Sequence, residues 1–599
     1  MKKLIFTLLA ALLSIGACAQ DDAPAFPGAE GHGRYITGGR GGEVRHVTTL
    51  EDNGSTSLKG SLRWAVNGSA KKIVVFDVAG VIALTKDLVF GDNTTIEGQT
   101  APEPGITIRY FTVRPGANNV IRFIRVRRGQ EKNINDGADA IWQREKTGII
   151  LDHCSFSWSI DEVASFYDIN NFTLQWCTVA ESLVHPGHSK GAHGYGGIWG
   201  GKLASYHHNL IAHVANRSPR FNGARYEWTG YKNNMLYDKY QWANHVQAEN
   251  VDLRNCVIYN CGNGCYGGPG GGYINIVNNY YKGGPAGNTK YITTVSVGAS
   301  GNSTPSELYG YTSRYYIDGN FIYRNSSISS NNWSGVSYDS GVFTINGEKY
   351  SKDPSHYYGE KVTYVKNSSN VDCVRIRLDE SEAAPTGDVT THNAATACEK
   401  VLGYAGASLY RDDVDARYME ETSNGTCTYK GSATSYLENG TTKSCTPTPG
   451  RIDLVSDVNG YTEENFPTAA RPADWDTDQD GMPDEWEKAN GLNPEDDSDG
   501  NTYTLDNRGW YTNVEVYANS LVEDIMKAGN ADALTTVDEY YPECNQPTGI
   551  SHLAAPQSEV VSIEYYTLDG VKLNQPARGI SLRKMTLRNG HTITQKVVK

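Results

Sequence analysis

A small polar residue recurs at one register through the middle of the chain, and this recurrence limits the fold more than any other feature. It appears in Asp152-His153-Cys154-Ser155-Phe156, Gln175-Trp176-Cys177-Thr178-Val179, His207-His208-Asn209-Leu210-Ile211, Asn233-Asn234-Met235-Leu236, Asn255-Cys256-Val257-Ile258, Asn278-Asn279-Tyr280-Tyr281 and Gly319-Asn320-Phe321-Ile322. Aligning Cys154, Cys177, Asn209, Asn234, Cys256, Asn279 and Asn320 gives gaps of 23, 32, 25, 22, 23 and 41 residues. Four gaps lie between 22 and 25, and the two long ones read as coils carrying an inserted loop. A repeat of this length, with short extended segments and no helical period, predicts an all-β chain built as a parallel β-helix. Successive coils would stack at the ~4.8 Å spacing of neighbouring strands. Asn amides in one column can hydrogen-bond along such a stack, and Cys fills the column where the bend is apolar. A β-sandwich is the competing fold, and the single-register Asn/Cys column weighs against it.

An open coil end exposes core and strand edges, so a cap is expected. Gly60-Ser61-Leu62-Arg63-Trp64-Ala65-Val66 suits a short N-terminal capping helix, and Ile73 to Asp77 and Thr94 to Glu97 read as the first strands. Helical patterns run from Ala394 to Gly406 and on to Glu421. The chain is Asp-rich from about residue 470 and strand-like again in its last fifty residues. The expected organisation is a leader over 1–19, a β-helix with insertions over 25–450, an Asp-rich segment with helices over 451–545 and a β-rich tail over 546–599.

Lys2 and Lys3 precede an apolar run from Leu4 to Leu13, too short to span a bilayer and suited to an export signal. Two readings of the junction stand. Ile15-Gly16-Ala17-Cys18 has the form of a lipobox, which would leave a lipid anchor on Cys18, while Ala17-Cys18-Ala19 also fits ordinary cleavage. Either way the mature chain is secreted or held at the cell surface, and no later stretch is apolar enough to cross a membrane. A monomer is expected. Export permits disulfides among the 11 cysteines. Cys427 with Cys445, or a pair among Cys256, Cys261 and Cys265, is a candidate, with buried thiols as the alternative. A zinc site at Cys261-x3-Cys265 lacks a His pair at ligand spacing. A net charge of −14 makes a general nucleic-acid binder a poor reading.

Chemistry-bearing residues sit beside the repeat segments. Asp136 and Asp139 precede one strand, and Asp161 and Glu162 follow the next. Stacked coils bring equivalent bends together, so Asp139 and Asp161 are expected to meet. Carboxylate oxygens from successive coils suit Ca²⁺, a hard cation with flexible coordination. A solvated acidic turn is the bland alternative. Basic partners follow at His188-Ser189-Lys190-Gly191 and Arg217-Ser218-Pro219-Arg220, with Arg122, Arg125, Arg127 and Arg128 one coil upstream. A basic track beside acidic metal ligands suits a polyanionic sugar.

These stretches, with Phe26-Pro27-Gly28-Ala29-Glu30-Gly31, Ile96-Glu97-Gly98-Gln99-Thr100, Leu151-Asp152-His153 and His208-Asn209, resemble the pectate lyases, right-handed parallel β-helix polysaccharide lyases of the family 1 type. The resemblance runs in family order from about residue 25 to 450. It implies cleavage of polygalacturonate or pectin by β-elimination, with Ca²⁺ bridging enzyme carboxylates to galacturonate and an arginine taking the C5 proton. By resemblance Asp139 and Asp161 match calcium ligands, Lys190 the lysine on the substrate carboxylate, and Arg217 the catalytic arginine. Arg125, Arg128 and His188 are further candidates for substrate contact. Two positions depart from the pattern. A further acidic ligand falls on Ser165, which leaves Glu162 to complete the set. The second arginine falls on Asn222, and Arg220 stands three residues after Arg217 instead. A free guanidinium titrates above pH ~12, so Arg217 as base implies nearby cations and a high pH optimum.

A second calcium loop is readable without any family. Asp476, Asp478, Asp480, Asp484 and Glu487 take positions 1, 3, 5, 9 and 12 of an EF-hand loop, with Gly481 at 6. Asp497-Ser498-Asp499-Gly500 looks like a second, interrupted loop. The pair resembles thrombospondin type-3 and dockerin calcium segments and suggests a structural staple. The tail, with Tyr566-Thr567-Leu568-Asp569-Gly570, Arg578-Gly579-Ile580 and Asn589-Gly590, resembles the C-terminal sorting domains of Bacteroidetes secretion substrates. Two rivals to a lyase remain. A β-helix hydrolase would need paired aspartates flanking a water and leaves Arg217 and Lys190 without a role. A non-catalytic glycan-binding β-helix would keep the groove but not the base.

Overall fold

The computed structural model describes residues 23–132, 138–223, 249–262, 264–300, 306, 309–352, 363–459, 461, 466–545, 560–567, 572–573, 580–587 and 592–598. Cys18, Asp136, Asn234, Leu568 to Gly570, Arg578, Gly579, Asn589 and Gly590 lie outside them. Among the described residues three long sheets form a parallel β-helix. The first has ten strands, from Glu43–Val47 to Arg314–Asp318. The second has nine, from Leu88–Val89 to Val336–Tyr338. The third has nine parallel strands, from Val78–Ala83 to Phe321–Ile322, and one antiparallel edge strand, Ala469–Ala470. Inward residues from all three sheets, such as Ile96, Leu151, Phe166, Val179 and Ile276, fill one continuous core.

The Asn/Cys column forms as a hydrogen-bonded ladder. The Cys154 N–H donates to Cys177 Sγ (3.4 Å), Cys177 N–H to Asn209 Oδ1 (2.8 Å), Cys256 N–H to Asn279 Oδ1 (2.8 Å) and Asn279 N–H to Asn320 Oδ1 (3.0 Å). Each bond satisfies a buried backbone donor that would otherwise cost about 1–3 kcal/mol. The residue just before each rung sits in the left-handed region, with φ of 49–54° at His153, Trp176, His208, Asn255 and Asn278. Phe123, His153, Trp176 and His208 stack there at centroid spacings of 4.8, 5.8 and 4.2 Å. Each such stack contributes about 0.5–1.5 kcal/mol, which offsets the left-handed backbone.

Asn234 lies outside the described residues, and the pairing of its described neighbours bears on the spacing. Strand Ala204–His207 pairs directly with Glu249–Arg254, and Asn209 Nδ2 reaches Cys256 Sγ at 3.8 Å. The rungs at Asn209 and Cys256 are therefore neighbours in the ladder although 47 positions apart, where the regular spacing suggests a rung between them. Of the two readings of the cysteines, the thiol one holds among the described residues. Cys427 and Cys445 are free thiols, and Cys256, Cys261 and Cys265 are buried thiols facing the core.

Helix Leu62–Ala65 closes the N-terminal end, capped by Ser61 Oγ accepting from the Trp64 N–H (3.2 Å). Beyond Tyr338 the chain turns back. A four-stranded antiparallel sheet spans Phe343–Ile345 to Asp372–Arg375. Helices Ala394–Tyr404 and Asp413–Asn424 cover the third sheet, setting Val401, Tyr418 and Met419 on its outward Ala180, Leu210 and Val257. Helix Asp484–Asn490 and helices Asn513–Ser520 and Glu523–Asn530 cover the first sheet. There Met482, Trp486 and Tyr517 pack on Ile73 and Val75, and Met526 packs on Ile150. Burying each of these large side chains stabilises by about 1.5–3 kcal/mol. The outward column of the second sheet instead keeps partial exposure at Trp142, Arg220, Tyr266, Thr294 and Ser337.

The chain divides into two compact units, Met1–Cys544 and Asn545–Lys599. The second is an antiparallel sheet of Lys572–Leu573, Val560–Tyr566, Ile580–Leu587 and Thr592–Val598, in that spatial order. No helix among the described residues is long and apolar enough to cross a membrane.

Candidate functional site

The second sheet carries the acidic and basic candidates because their loops enter nearby strands of it, with Ile198–Trp199 between the last two. Asp139 precedes Ile141–Arg144, Asp161 and Glu162 precede Ala164–Tyr167, and Arg217 precedes Arg220–Phe221. Ile141 pairs with Ala164, which sets Asp139 beside the Asp161–Glu162 turn. The Glu162 N–H donates to Asp139 Oδ1 at 3.0 Å. Oxygens of Asp139, Asp161 and Glu162 converge within 4.8 Å of one another. Asp161 Oδ1 is buried without a hydrogen-bond partner. Burial, then the neighbouring Asp161 charge, pushes the Asp139 carboxyl well above its usual range against the pull of Arg217, Ser165 and Arg128. Buried acids that repel one another and leave an oxygen unpartnered suit a hard divalent cation.

Arg217 stands at the rim of this cluster. Its guanidinium pairs with Glu162 and lies 4.2 Å from the centroid of the Tyr195 ring. Tyr195 bridges the coil of Glu162 to that of Asn216, so it sits between base candidate and acids. Arg217 holds φ at +55°, a conformation that costs a non-glycine residue about 1–2 kcal/mol. Arg220 projects outward from its strand between Ile198 and Tyr266 of the neighbouring strands. Lys190 is exposed, and its N–H donates to His188 Nδ1 at 3.0 Å. Ser189 accepts from the Asn439 N–H (3.1 Å), which ties the Lys190 loop to the hairpin Ser435–Ser444.

Three candidates do not reach this surface. His188 is buried, stacked on His193 at 3.7 Å, with Nε2 3.9 Å from Asp161 Oδ2, so it supports the cluster from behind. Arg125 lies on the third sheet and is covered by the helical segment, its Nε 3.5 Å from Asp412 and 3.8 Å from Asp415. Arg128 is fully buried and donates to Gly129 O. Arg122 pairs with Asp152 (2.9 Å), and Arg127 with Asp412 and Asp415. Arg122, Arg125 and Arg127 are thus held in buried ion pairs, and Arg128 lies buried near Asp139. The acidic partners at 412 and 415 lie 285 or more residues away in sequence, which local pattern does not reveal.

Two participants went unseen in the sequence. His193 Nε2 lies 3.6 Å from Asp161 Oδ1, while its Nδ1 is 2.9 Å from Gly191 O. Tyr195 is the platform for Arg217. The alternating Gly191-Ala192-His193-Gly194-Tyr195-Gly196 was the available signal: glycines let the loop fold tightly under the site. Gly191 and Gly194 hold φ of +100° and +85°.

The Asp-rich loop builds a second acidic cluster. Asp476, Asp478 and Asp480 converge, and Asp480 also converges with Glu487 and Asp499. Backbone N–H groups of Gln479 (2.8 Å) and Gly481 (3.0 Å) hold Asp476. Both Glu487 oxygens, Asp478 Oδ2, Asp480 Oδ2 and Asp499 Oδ1 are buried without hydrogen-bond partners. Desolvation first, then mutual repulsion, pushes Asp480 up to about 9, Glu487 to about 8 and Asp476 to about 6. Asp484 does not join them. It accepts from Thr477 N–H (2.8 Å) and Oγ1 (2.9 Å) at the start of helix Asp484–Asn490. Asp499, from the interrupted second loop, takes the remaining place because Gly500 allows its backbone against Asp480. His46 of the first strand bonds Gln479 O at 3.0 Å, joining this loop to the β-helix.

No family model matches the chain. A probable pectate lyase C of Aspergillus fumigatus is 31% identical over 508 residues, covering 83% of this chain and 94% of that protein. The probable pectate lyase C of Neosartorya fischeri is 32% identical over 518 residues, with 83% and 94% covered. A solved pectate lyase studied for its anti β-elimination mechanism superposes with a TM-score of 0.36 at 13% identity, over 65% of this chain and 99% of that one.

Proposed function

The chain belongs to the pectate lyase family, and from that premise we propose that it cleaves polygalacturonate by β-elimination on the outer face of the second sheet. One arrangement supports this above all: a guanidinium, Arg217, held at the rim of the Asp139–Asp161–Glu162 carboxylates. Asp139, Asp161 and Glu162 would hold Ca²⁺, since they offer hard oxygens from two adjacent coils and one of those oxygens is buried without a partner. When bound, Ca²⁺ neutralises the substrate C6 carboxylate and so acidifies the C5 proton. Lys190 and Arg220 bind and orient substrate carboxylates. Glu162 and the Tyr195 ring position Arg217, which accepts the C5 proton. The C5 electron pair forms the C4–C5 double bond as C4–O4 breaks, the leaving O4 takes a proton from a solvent water, and the resulting hydroxide removes the proton that Arg217 gained. The product is a 4,5-unsaturated galacturonosyl end.

Incubation with polygalacturonate should produce ultraviolet absorbance from that end, and a chelator should abolish it. Reducing ends without absorbance would indicate a hydrolase, and neither signal a binding protein. Asp139→Ala or Asp161→Ala should raise the half-saturating Ca²⁺ concentration by roughly tenfold or more, since each removes a hard ligand. Activity indifferent to chelator would remove the metal from this reading. We further read Asp476, Asp478, Asp480, Glu487 and Asp499 as a structural calcium site, and the Lys2–Gln20 leader as an export signal on a monomeric chain.

A further inference from the structure

We propose that the far end of the same sheet holds a distal subsite for acidic sugar, built by Trp333, Tyr338, Lys349 and Arg377. The proposal rests on the polygalacturonate reading and extends it along the polymer.

The outward residues of the second sheet form one column. Strand pairing sets Trp142 opposite Ser165 and Ile198 opposite Arg220, and then runs Arg220, Tyr266, Thr294, Ser337. Three strand steps separate Arg220 from Ser337, about 14 Å at the usual inter-strand spacing. A 1,4-linked pyranose advances by nearly one strand step per unit, so a polymer lying along this column meets a new coil with each sugar.

At Ser337 the column opens into a cavity of about 610 Å³. Its lining pairs flat rings with cations. The Arg377 guanidinium lies 5.3 Å from the centroid of the Trp333 ring, and Lys349 Nζ lies 5.4 Å from that of Tyr338. Arg377 is exposed and forms no ion pair among the described residues. Among the described residues Lys349 Nζ donates to Thr344 Oγ1 (2.8 Å). Glu348 also lines the cavity, so the two cations leave a net charge of +1. Sugar rings stack on aromatic faces, and uronate carboxylates match guanidinium and ammonium groups. The same pairing of ring and guanidinium occurs nearer the acids, where Arg114 lies 4.1 Å from the Trp142 ring centroid. The inserted sheet Phe343–Arg375 supplies Lys349, and Arg377 follows it. The insertion therefore gives the groove a floor beyond the catalytic coils.

The test compares trigalacturonate, octagalacturonate and polygalacturonate on the wild type, on Arg377→Gln with Lys349→Gln, and on Trp333→Ala. Both charge changes are at surface side chains, so that variant should keep the wild-type melting temperature and serves if Trp333→Ala misfolds. Wild-type kcat/KM should rise with chain length. The charge variant should lose roughly tenfold on the long substrates while its rate on the trimer stays the same. Added salt should shrink the difference between wild type and variant. An unchanged ratio of long to short substrate in both variants overturns the subsite. If the wild type makes no unsaturated product, the function reading fails separately. Calorimetric binding of the same oligomers then decides the subsite. Affinity that grows with length and falls in the charge variant supports it, and affinity without length dependence overturns it.

Discussion

Arg217→Lys should reduce kcat on polygalacturonate by about 10³-fold, within the range a positioned general base contributes, while melting temperature and substrate binding change little. The physical reason is geometry. Arg217 is held by three features at once: its ion pair with Glu162, its seat on Tyr195 and a left-handed backbone. A lysine keeps the charge but offers a single ammonium on a flexible stem in place of a planar fork. It can still neutralise Glu162, yet it cannot stay paired while presenting a second nitrogen to the substrate. A loss in KM with kcat intact would make Arg217 a binding residue, and near-normal turnover would move the base elsewhere on the face. Tyr195→Ala should fall between wild type and Arg217→Lys, because it removes the platform and leaves the guanidinium.

The second large effect concerns stability. In chelator, the melting temperature of the wild type relative to Asp480→Asn with Glu487→Gln should fall as pH rises from about 4 to about 9, the reference carboxylate range up to the raised values. The sign follows from the raised carboxyls. Asp476, Asp480 and Glu487 hold protons in the folded state at pH values where the unfolded chain has released them. The folded state therefore binds more protons, and stability declines through that window. Ca²⁺ at pH 8 should restore it, by about 2.7 kcal/mol at a hundredfold excess over Kd. Asp480→Asn with Glu487→Gln removes two of the repelling charges, so it should be more stable than wild type in chelator at pH 8 and gain little from Ca²⁺. Its turnover per folded molecule should match wild type, because the loop packs on the first sheet through Met482 and Trp486 and the acids and Arg217 lie on the second. A melting-temperature difference flat with pH, and a wild type indifferent to Ca²⁺, would sink the site. Loss of turnover without loss of stability would place the loop in catalysis.

The sequence alone determined whatever depends on spacing within one coil or one loop. The Asn/Cys register identified the stacked coils because a ladder needs the same small polar group at every bend, and Cys154, Cys177, Asn209, Cys256, Asn279 and Asn320 keep it. Asp139 and Asp161 could be brought together on paper, since coil stacking converts a 22-residue offset into contact. Most of the acidic cluster in the Asp476–Glu487 loop was legible because Asp476, Asp478, Asp480 and Glu487 are close in sequence. Tertiary structure decided everything set by segments far apart in the chain. Asn209 and Cys256 are neighbouring rungs although 47 positions apart, because a ladder is defined by which strands pair and not by even spacing. Arg125 and Arg128 read as a surface track, but helices from beyond residue 390 cover the third sheet and bring Asp412 and Asp415 to its arginines. Asp484 has the right spacing, yet Thr477 holds it at a helix start while Asp499 arrives from the next loop. Which sheet stayed open was also a tertiary outcome. All three faces carry outward side chains, and the placement of the C-terminal helices on the first and third left the second sheet open.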